Sequence, residues 1–233
     1  DHRRQRQMCI RDRSVEVAEY FEKAHYKLMA SPRIFPGQQV YAGVSSPDAN
    51  LYIAYYGDGD ETCYVDVDSP DDALNPSLHV PKVPGPIFEV GLRLNKDVSL
   101  QLNHVGWQGN PEVTFERPKH KGMMWKRAWV DAVDQLVGWS EMFRLVQNEG
   151  LGMISQGTRE WTNYVVSADV TPHLVSRAGV AARVQGLTRF YALMVTLDQK
   201  VQLVKSVHTE SVLAEAEFNW TLGDTLNMSL HVN

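Results

Sequence analysis

The sequence predicts a mainly β fold, in which two antiparallel β-sandwich modules follow one N-terminal helix. Short apolar runs recur at intervals of roughly 8 to 12 residues, and stretches rich in Pro, Gly, Asp and Asn separate them. Val98, Leu100 and Leu102 alternate strictly with polar residues, which is typical of a strand with one buried face and one face in water. This pattern favours sandwiches over a fold in which strands alternate with helices.

The N-terminal region divides into a leader and a helix. Residues 1–13 lack the apolar core of a signal peptide and resemble a translated sequencing adapter, so we treat them as a non-native leader. In residues 14–30, apolar side chains recur at spacings of four, three and four, which predicts one amphipathic helix. Ser14 is predicted to cap this helix and Pro32 to end it, so residues 14–33 are assigned to a helix and linker.

The first sandwich is predicted over residues 34–135 and the second over residues 136–233. The predicted strands of the first are 39–43, 51–56, 62–67, 87–94, 98–105 and 113–115. Those of the second are 142–148, 152–156, 161–170, 179–185, 190–196, 201–205, 212–218 and 225–232. The last of these ends at Asn233 with no returning strand after it, so we expect the second module to be truncated at its C-terminus.

Composition argues against several classes of function. No apolar run approaches the roughly 20 residues of a membrane-spanning helix, so we expect no membrane segment and no membrane partner. Without residues 1–13 the chain carries 18 basic and 26 acidic side chains, a net charge of −8, and phosphate backbones repel such a surface. We therefore expect no nucleic-acid partner. Cys63 is then the only cysteine, so no internal disulfide forms, and we expect a cytoplasmic protein.

Familiar catalytic and metal-binding motifs are absent from the sequence. It contains no nucleophile elbow, phosphate loop, dinucleotide fingerprint or zinc-protease motif. Residues 58–61 are similar to the start of a calcium loop, but Cys63 stands where glycine is needed and Ser69 where a bidentate glutamate is needed. A solvated hairpin turn is the preferred interpretation, and the nearby aspartates leave a structural calcium ion open. We expect no catalytic residue and no resident cofactor.

The strongest functional signal is a predicted ligand-binding face on two consecutive strands of the second module. The residues expected to face the core are Val180, Ala182 and Val184. Arg183 and Gln185 then share the opposite face, and Arg189 and Tyr191 return beside them after a turn at Gly186. Arginine, amide and aromatic side chains on an open face can hydrogen-bond hydroxyl groups and stack on a ring. The alternative is a solvated face, or one packed against the other module.

Three further residues are predicted to close the rim of this face, namely Trp161, Arg159 and Glu149. Glu149 also enters a rival interpretation, in which it pairs with Glu160 as the two carboxylates of a glycosidase. That chemistry requires carboxyl groups roughly 5 to 9.5 Å apart, one of them with a raised pKa.

Several motifs resemble the C-terminal region of some bacterial ADP-ribosylglycohydrolase-family proteins. They are FRLVQNEG at 143–150, QGTREW at 156–161, VSADVTPH at 166–173 and the stretch 181–193. PEVTF at 111–115 and WKRAW at 125–129 also fit, and the resemblance covers residues 92–232 well.

The resemblance implies two jelly-roll sandwiches behind a helical hydrolase domain. The first module is expected to be galactose-binding-like, and the second similar to concanavalin-like and keto-disaccharide-hydrolase sandwiches. In that family the hydrolase domain removes ADP-ribose with a pair of magnesium ions held by carboxylates on its helices. This sequence lacks that domain and its Asp-rich motifs, so none of the family's catalytic residues carries over, and magnesium is expected only in the missing domain.

We therefore expect a noncatalytic region that binds a carbohydrate or an ADP-ribose-like ligand and is covalently linked to an upstream catalytic domain. Two alternatives stay open. The second sandwich cleaves a glycosidic bond itself, or the region is a structural spacer.

Overall fold

A computed structural model describes residues 13–15, 25–30, 34–66, 72–95, 99–111, 113–116, 122–138 and 143–233, with the backbone alone for residues 13–15, 25–30 and 138. The described chain is mainly β, and its strands form antiparallel sheets. Within the described residues, no helix is both long enough and apolar enough to cross a membrane.

The strands are short and follow one another closely along the chain. They are β1 (Arg13–Val15), β2 (His25–Ala30), β3 (Gln39–Val44), β4 (Ala49–Tyr56), β5 (Thr62–Asp66), β6 (Ser77–His79), β7 (Ile87–Leu94), β8 (Leu100–Gln108), β9 (Val130–Ala132), β10 (Gln135–Gly138), β11 (Phe143–Val146), β12 (Met153–Ser155), β13 (Tyr164–Val170), β14 (Arg177–Gly186), β15 (Arg189–Thr196), β16 (Lys200–Val207), β17 (Thr209–Glu217) and β18 (Leu226–Val232). Among the described residues, Asp58–Asp60 and Met124–Ala128 form 3₁₀ turns.

The predicted helix over residues 14–30 differs from the structure. Arg13–Val15 pairs with β8, and His25–Ala30 pairs with β7. Residues 16–24 lie outside the described residues. The helical spacing of apolar side chains is a local signal, whereas these two segments gain backbone hydrogen bonds from strands that lie far away in sequence, and such pairing overrides local propensity.

The chain divides into two compact units. The first comprises Asp1–Trp129 and Val137–Arg144, and the second comprises Val130–Leu136 and Leu145–Asn233. The chain passes between the two units after residues 129, 136 and 144.

The first unit contains two four-stranded sheets, with strand orders β1-β8-β3-β6 and β2-β7-β4-β5. Buried residues of both sheets form one apolar cluster. Val40 and Leu102 contribute from the first sheet, and Leu51 and Val90 contribute from the second. Strand alternation explains most of the selection, because residues 49, 51 and 53 of β4 and residues 90, 92 and 94 of β7 all face this cluster.

The second unit is built around the four-stranded sheet β14-β15-β16-β17, and the pairs β13-β18 and β12-β9 form two further small sheets. One face of the large sheet packs Val180 and Val195 against Met228 of β18. The opposite face carries Phe190 in a separate cluster, against which Met153 of β12 packs. Both faces of the large sheet therefore carry apolar cores.

The last strand, which no returning strand follows in the sequence, pairs with a strand that lies earlier in the chain. β18 pairs with β13 along its whole length, from Tyr164 opposite Val232 to Val170 opposite Leu226. The sequence pattern did not identify this partner because β13 lies more than fifty residues earlier, which makes the pairing non-local.

The large sheet is strongly curled. Arg177 at the start of β14 forms an ion pair with Glu210 near the start of β17, although two strands lie between them. Neighbouring strands are about 4.7–4.9 Å apart, so a flat sheet would hold these two strands about 14 Å apart. The ion pair brings together opposite corners of the sheet.

Candidate ligand-binding site

A β-bulge in β14 sets the position of the predicted ligand residues. The pairing with β15 is regular as far as Ala182 opposite Tyr191, and it shifts before Gly186 pairs with Arg189. Inside the bulge Arg183 has a φ of 51°, in the left-handed region. Such a conformation costs a non-glycine residue about 1–3 kcal/mol. Bulges often lie next to binding sites, where they redirect a side chain.

The bulge changes the side-chain alternation predicted for this strand. Val180 and Ala182 face the cluster shared with β18, as expected. Val184 was expected on the same face, but it packs on the opposite face against the cluster of Phe190. From the Ala182–Tyr191 pair to the Gly186–Arg189 pair, β14 advances four residues and β15 only two, so residues 183–185 do not keep the regular alternation of the strand.

The open polar face predicted for β14 and β15 is therefore not formed as expected. The side of β15 away from β18 carries the buried residues Phe190, Ala192 and Met194. Tyr191 lies directly opposite Ala182, which places it on the side of the sheet that faces β13 and β18. The ligand-binding role of these residues stays a prediction, and Arg189 and Tyr191 lie on this inner side rather than on an outer face.

Arg183 connects the large sheet to the β13-β18 pair. Its backbone N–H donates to the hydroxyl of Tyr164 at 2.6 Å. Its Nη2 donates to the carbonyl oxygens of Thr162 and Asn233, each at 2.9 Å. Its Nε and Nη1 make no hydrogen bond with a described residue, and the side chain is exposed. The bonds of Nη2 thus orient the guanidinium, and its Nε and Nη1 are available to a ligand.

Trp161 contacts the ring of Tyr164, whose hydroxyl accepts the hydrogen bond from the Arg183 backbone. The two ring centroids are 6.2 Å apart, with the edge of one ring towards the face of the other. Gly157 has a φ of 105°, and a Cβ there would lie 2.7 Å from Cζ3 of Trp161. Only glycine accommodates both this backbone and this ring, so Gly157 fixes the half-buried indole next to Tyr164.

Gln156 adds an unsatisfied amide next to Gly157 in the chain. Its side-chain oxygen and nitrogen are both buried, and neither has a hydrogen-bond partner among the described residues. A buried polar group without a partner costs about 1–3 kcal/mol, and such groups in folded proteins call for a specific explanation. Sequence reasoning placed Gln156 in a motif but gave it no role.

Arg189 and Tyr191 lie two residues apart on β15 and share one face. Tyr191 is directly opposite Lys205 of β16, whose Nζ is 5.9 Å from the centre of its ring. Nη2 of Arg189 is 3.3 Å from Nε2 of His208. Lys205 and His208 were not predicted, because the alternation of β16 alone does not show which residues of β15 lie beside them.

The other predicted residues are not brought to this site by any described contact. Gln185, Arg159 and Glu149 are exposed, and no contact within residues 143–233 joins their side chains to Arg183. The described bond at Glu149 is made by its backbone carbonyl, which accepts from Nε2 of Gln147 at 2.5 Å. Glu160 is also exposed, and no described contact joins it to Glu149.

Residues 58–61 form the connection of a hairpin, since β4 and β5 pair antiparallel on either side of them. The Asp60 carboxylate accepts hydrogen bonds from the backbone N–H groups of Met123 and Met124, at 2.7 and 2.9 Å. In the described part of the chain, no group of three or more His, Cys, Asp or Glu side chains is placed to hold a metal ion. Asp68 and Asp71 lie outside the described residues.

A second polar cluster, which sequence reasoning missed, lies in the first unit on the side of the β2-β7-β4-β5 sheet away from its core. Tyr52 is 0% exposed, and its hydroxyl donates to Oε1 of Glu89 at 2.6 Å. Burial raises the pKa of Tyr52 well above its usual range, and the hydrogen bond to Glu89 raises it further. This tyrosine therefore holds its proton firmly.

Arg93 completes this cluster. Its guanidinium carbon lies 5.4 Å from the ring centre of Tyr52 and 5.3 Å from that of Tyr64. Its Nη1 contacts Oδ2 of Asp66 at 2.5 Å. The signal in the sequence was the alternation of β7, which places Arg93 on the same face as Glu89.

Comparison of the chain with protein-family models, with curated proteins and with solved structures finds no match.

Proposed function

We propose that the second unit is a noncatalytic module that binds a carbohydrate or an ADP-ribose-like ligand. The observation that carries the proposal is the position of Arg183. Its backbone is left-handed at the bulge and bonds the hydroxyl of Tyr164, its guanidinium bonds the carbonyl of Thr162, which follows Trp161 in the chain, and Nε and Nη1 have no described partner. Strained backbone conformations cluster at active sites and ligand-binding sites, so the left-handed conformation of Arg183 favours a binding role over that of a spacer.

The chemistry of these groups suits a polar ligand that contains a ring. The free edge of a guanidinium presents a planar fork that matches two oxygens of a sugar or a phosphate. An indole ring stacks on a sugar face or a base.

The proposal extends to architecture and context. We propose that both units are β-sandwiches of jelly-roll type, the second of them concanavalin-like. In support, two four-stranded sheets of the first unit share one buried cluster. We also propose that the chain serves an upstream hydrolase domain as its accessory region in the cytoplasm, on the basis of the sequence resemblance.

The test compares ligand binding by the whole chain with binding by Arg183→Gly. Glycine adopts a φ of 51° without strain and keeps the N–H that bonds Tyr164, so this variant removes the guanidinium while preserving the bulge. A glycan array and a calorimetric titration with ADP-ribose are the measurements. We expect affinity to fall by about tenfold or more, which corresponds to about 1.4 kcal/mol.

Arg127→Ala is the matched control, because Arg127 is an exposed arginine of the first unit with a hydrogen bond to Tyr56. It should bind like the unaltered chain. If the unaltered chain binds no glycan and no ADP-ribose, the module is a spacer. If it instead hydrolyses a glycan and Glu160→Gln abolishes this activity, the glycoside-cleaving alternative is correct.

A further inference from the structure

Strands β14 to β17 carry five cationic residues, and these fall into two groups. They are Arg177, Arg183, Arg189, Lys200 and Lys205. The pair at one end of the sheet is neutralised, because Arg177 bonds Glu210 and Lys200 bonds Glu215 at 3.0 Å. The remaining three are not paired with any described carboxylate.

The acidic residues of β17 face away from these three cations. Glu210 lies opposite Ser206, Glu215 opposite Gln202 and Glu217 opposite Lys200. Alternate residues of one strand share a face, so these glutamates lie on the side of the sheet that carries Phe190. Lys205 and Arg189 lie on the other side, together with Tyr191. The glutamates of β17 therefore lie on one face of the sheet, and Arg189 and Lys205 lie on the other.

The whole chain has a net charge of −5, so the face that carries Arg189 and Lys205 is opposite in sign to the chain as a whole. Residues directly opposite on neighbouring strands have Cβ atoms about 4.5–5.5 Å apart, and diagonal neighbours are about 7–8 Å apart. Lys205 is directly opposite Tyr191, and Arg189 is its diagonal neighbour. Both long side chains can therefore reach one small anion.

We infer that the proposed ligand-binding site contains an anion subsite formed by Arg189 and Lys205, which makes a phosphate-bearing ligand its preferred class over a neutral glycan. This inference rests on the proposed function and names the ligand's chemistry. Arg183 lies on the neighbouring strand and follows Ala182, which is directly opposite Tyr191. A pyrophosphate joined to a ribose would contact the cations with its phosphates and Arg183 and Trp161 with its sugar or base.

Calorimetric titrations of the whole chain with inorganic pyrophosphate, ADP-ribose and maltose test this inference. We expect pyrophosphate and ADP-ribose to bind, and binding to weaken between about 50 and about 300 mM NaCl because salt screens exposed charges. Arg189→Gln and Lys205→Gln should each weaken pyrophosphate binding by about fivefold or more. Lys200→Gln is the matched control, since Lys200 is paired with Glu215 at the other end, and it should change binding by less than about twofold.

The outcomes separate this inference from the proposed function. If maltose binds and pyrophosphate does not, or if Arg189→Gln and Lys205→Gln bind like Lys200→Gln, the anion subsite is overturned while the ligand-binding module stands. If none of the three compounds binds and the glycan array is also blank, both are overturned. Binding of pyrophosphate that depends on salt and on both cations supports the subsite.

Discussion

Replacing Tyr52 with phenylalanine should lower the free energy of unfolding at neutral pH. It should also reduce the further decrease of this free energy at alkaline pH. The hydroxyl of Tyr52 donates to Glu89, which is itself only 6% exposed. Removing this donor from a buried carboxylate costs about 1–3 kcal/mol. The free energy of unfolding of Tyr52→Phe at pH 7 should therefore be lower than that of the unaltered chain by this amount.

The pH dependence follows from the raised pKa of Tyr52 in the folded state, for which burial is the main cause. An unfolded tyrosine loses its proton near pH 10, whereas folded Tyr52 keeps it. Below about pH 10 the stabilising contribution is complete, and above it the unfolded state binds fewer protons, so stability falls by about 1.4 kcal/mol per pH unit. Tyr52→Phe lacks this loss, and the two stabilities should converge between about pH 10 and pH 12.

Urea unfolding, followed by tryptophan fluorescence at several pH values from about 7 to about 11.5, measures both effects. Glu89→Gln is the control, because an amide oxygen still accepts the hydrogen bond and burial still raises the pKa of Tyr52. This control should keep the alkaline loss. A stability difference between the unaltered chain and Tyr52→Phe that stays constant across this pH range would refute the reasoning.

Three substitutions give further tests of the fold. Gly91→Ala would put a Cβ 2.3 Å from Cζ of buried Tyr52, so we expect a loss of about 1–3 kcal/mol in urea unfolding, and an unchanged midpoint would contradict this packing. Asp60→Ala removes the acceptor of two backbone N–H groups and should lower the free energy of unfolding by about 0.5–2 kcal/mol. Faster hydrogen exchange at the amides of residues 123 and 124 would report the lost bonds. Gly157→Ala should displace Trp161, which a red shift of tryptophan emission would report, while an unchanged spectrum would argue against the contact.

Strand positions were predicted well because they depend on local alternation. Residues 87–94 were predicted and are observed as β7, and the predictions at 39–43 and 190–196 each differ from the observed strand by one residue at one end. Short strands without an alternating pattern, such as Ser77–His79, were missed. The predicted strand at 113–115 is not a strand in the structure.

Arg183 was predicted as a site residue, but its surroundings could not be predicted. The bulge interrupts the pairing of β14 without any change in composition, so local alternation could not predict that Val184 leaves the face of Ala182. The contacts of Arg183 with Thr162 and Asn233 join segments 21 and 50 residues away in sequence. Local alternation carries no information about such distances.

The ion pair between Arg177 and Glu210 has a consequence for strand register. A slip of β17 by two residues along β16 preserves which side chains face the core, so burial alone opposes it weakly. Such a slip moves Glu210 by about 6.6–6.8 Å, which is beyond the reach of an ion pair. The ion pair between Arg177 and Glu210 therefore favours the observed register of β17. This matters because all nine residues of this edge strand are exposed.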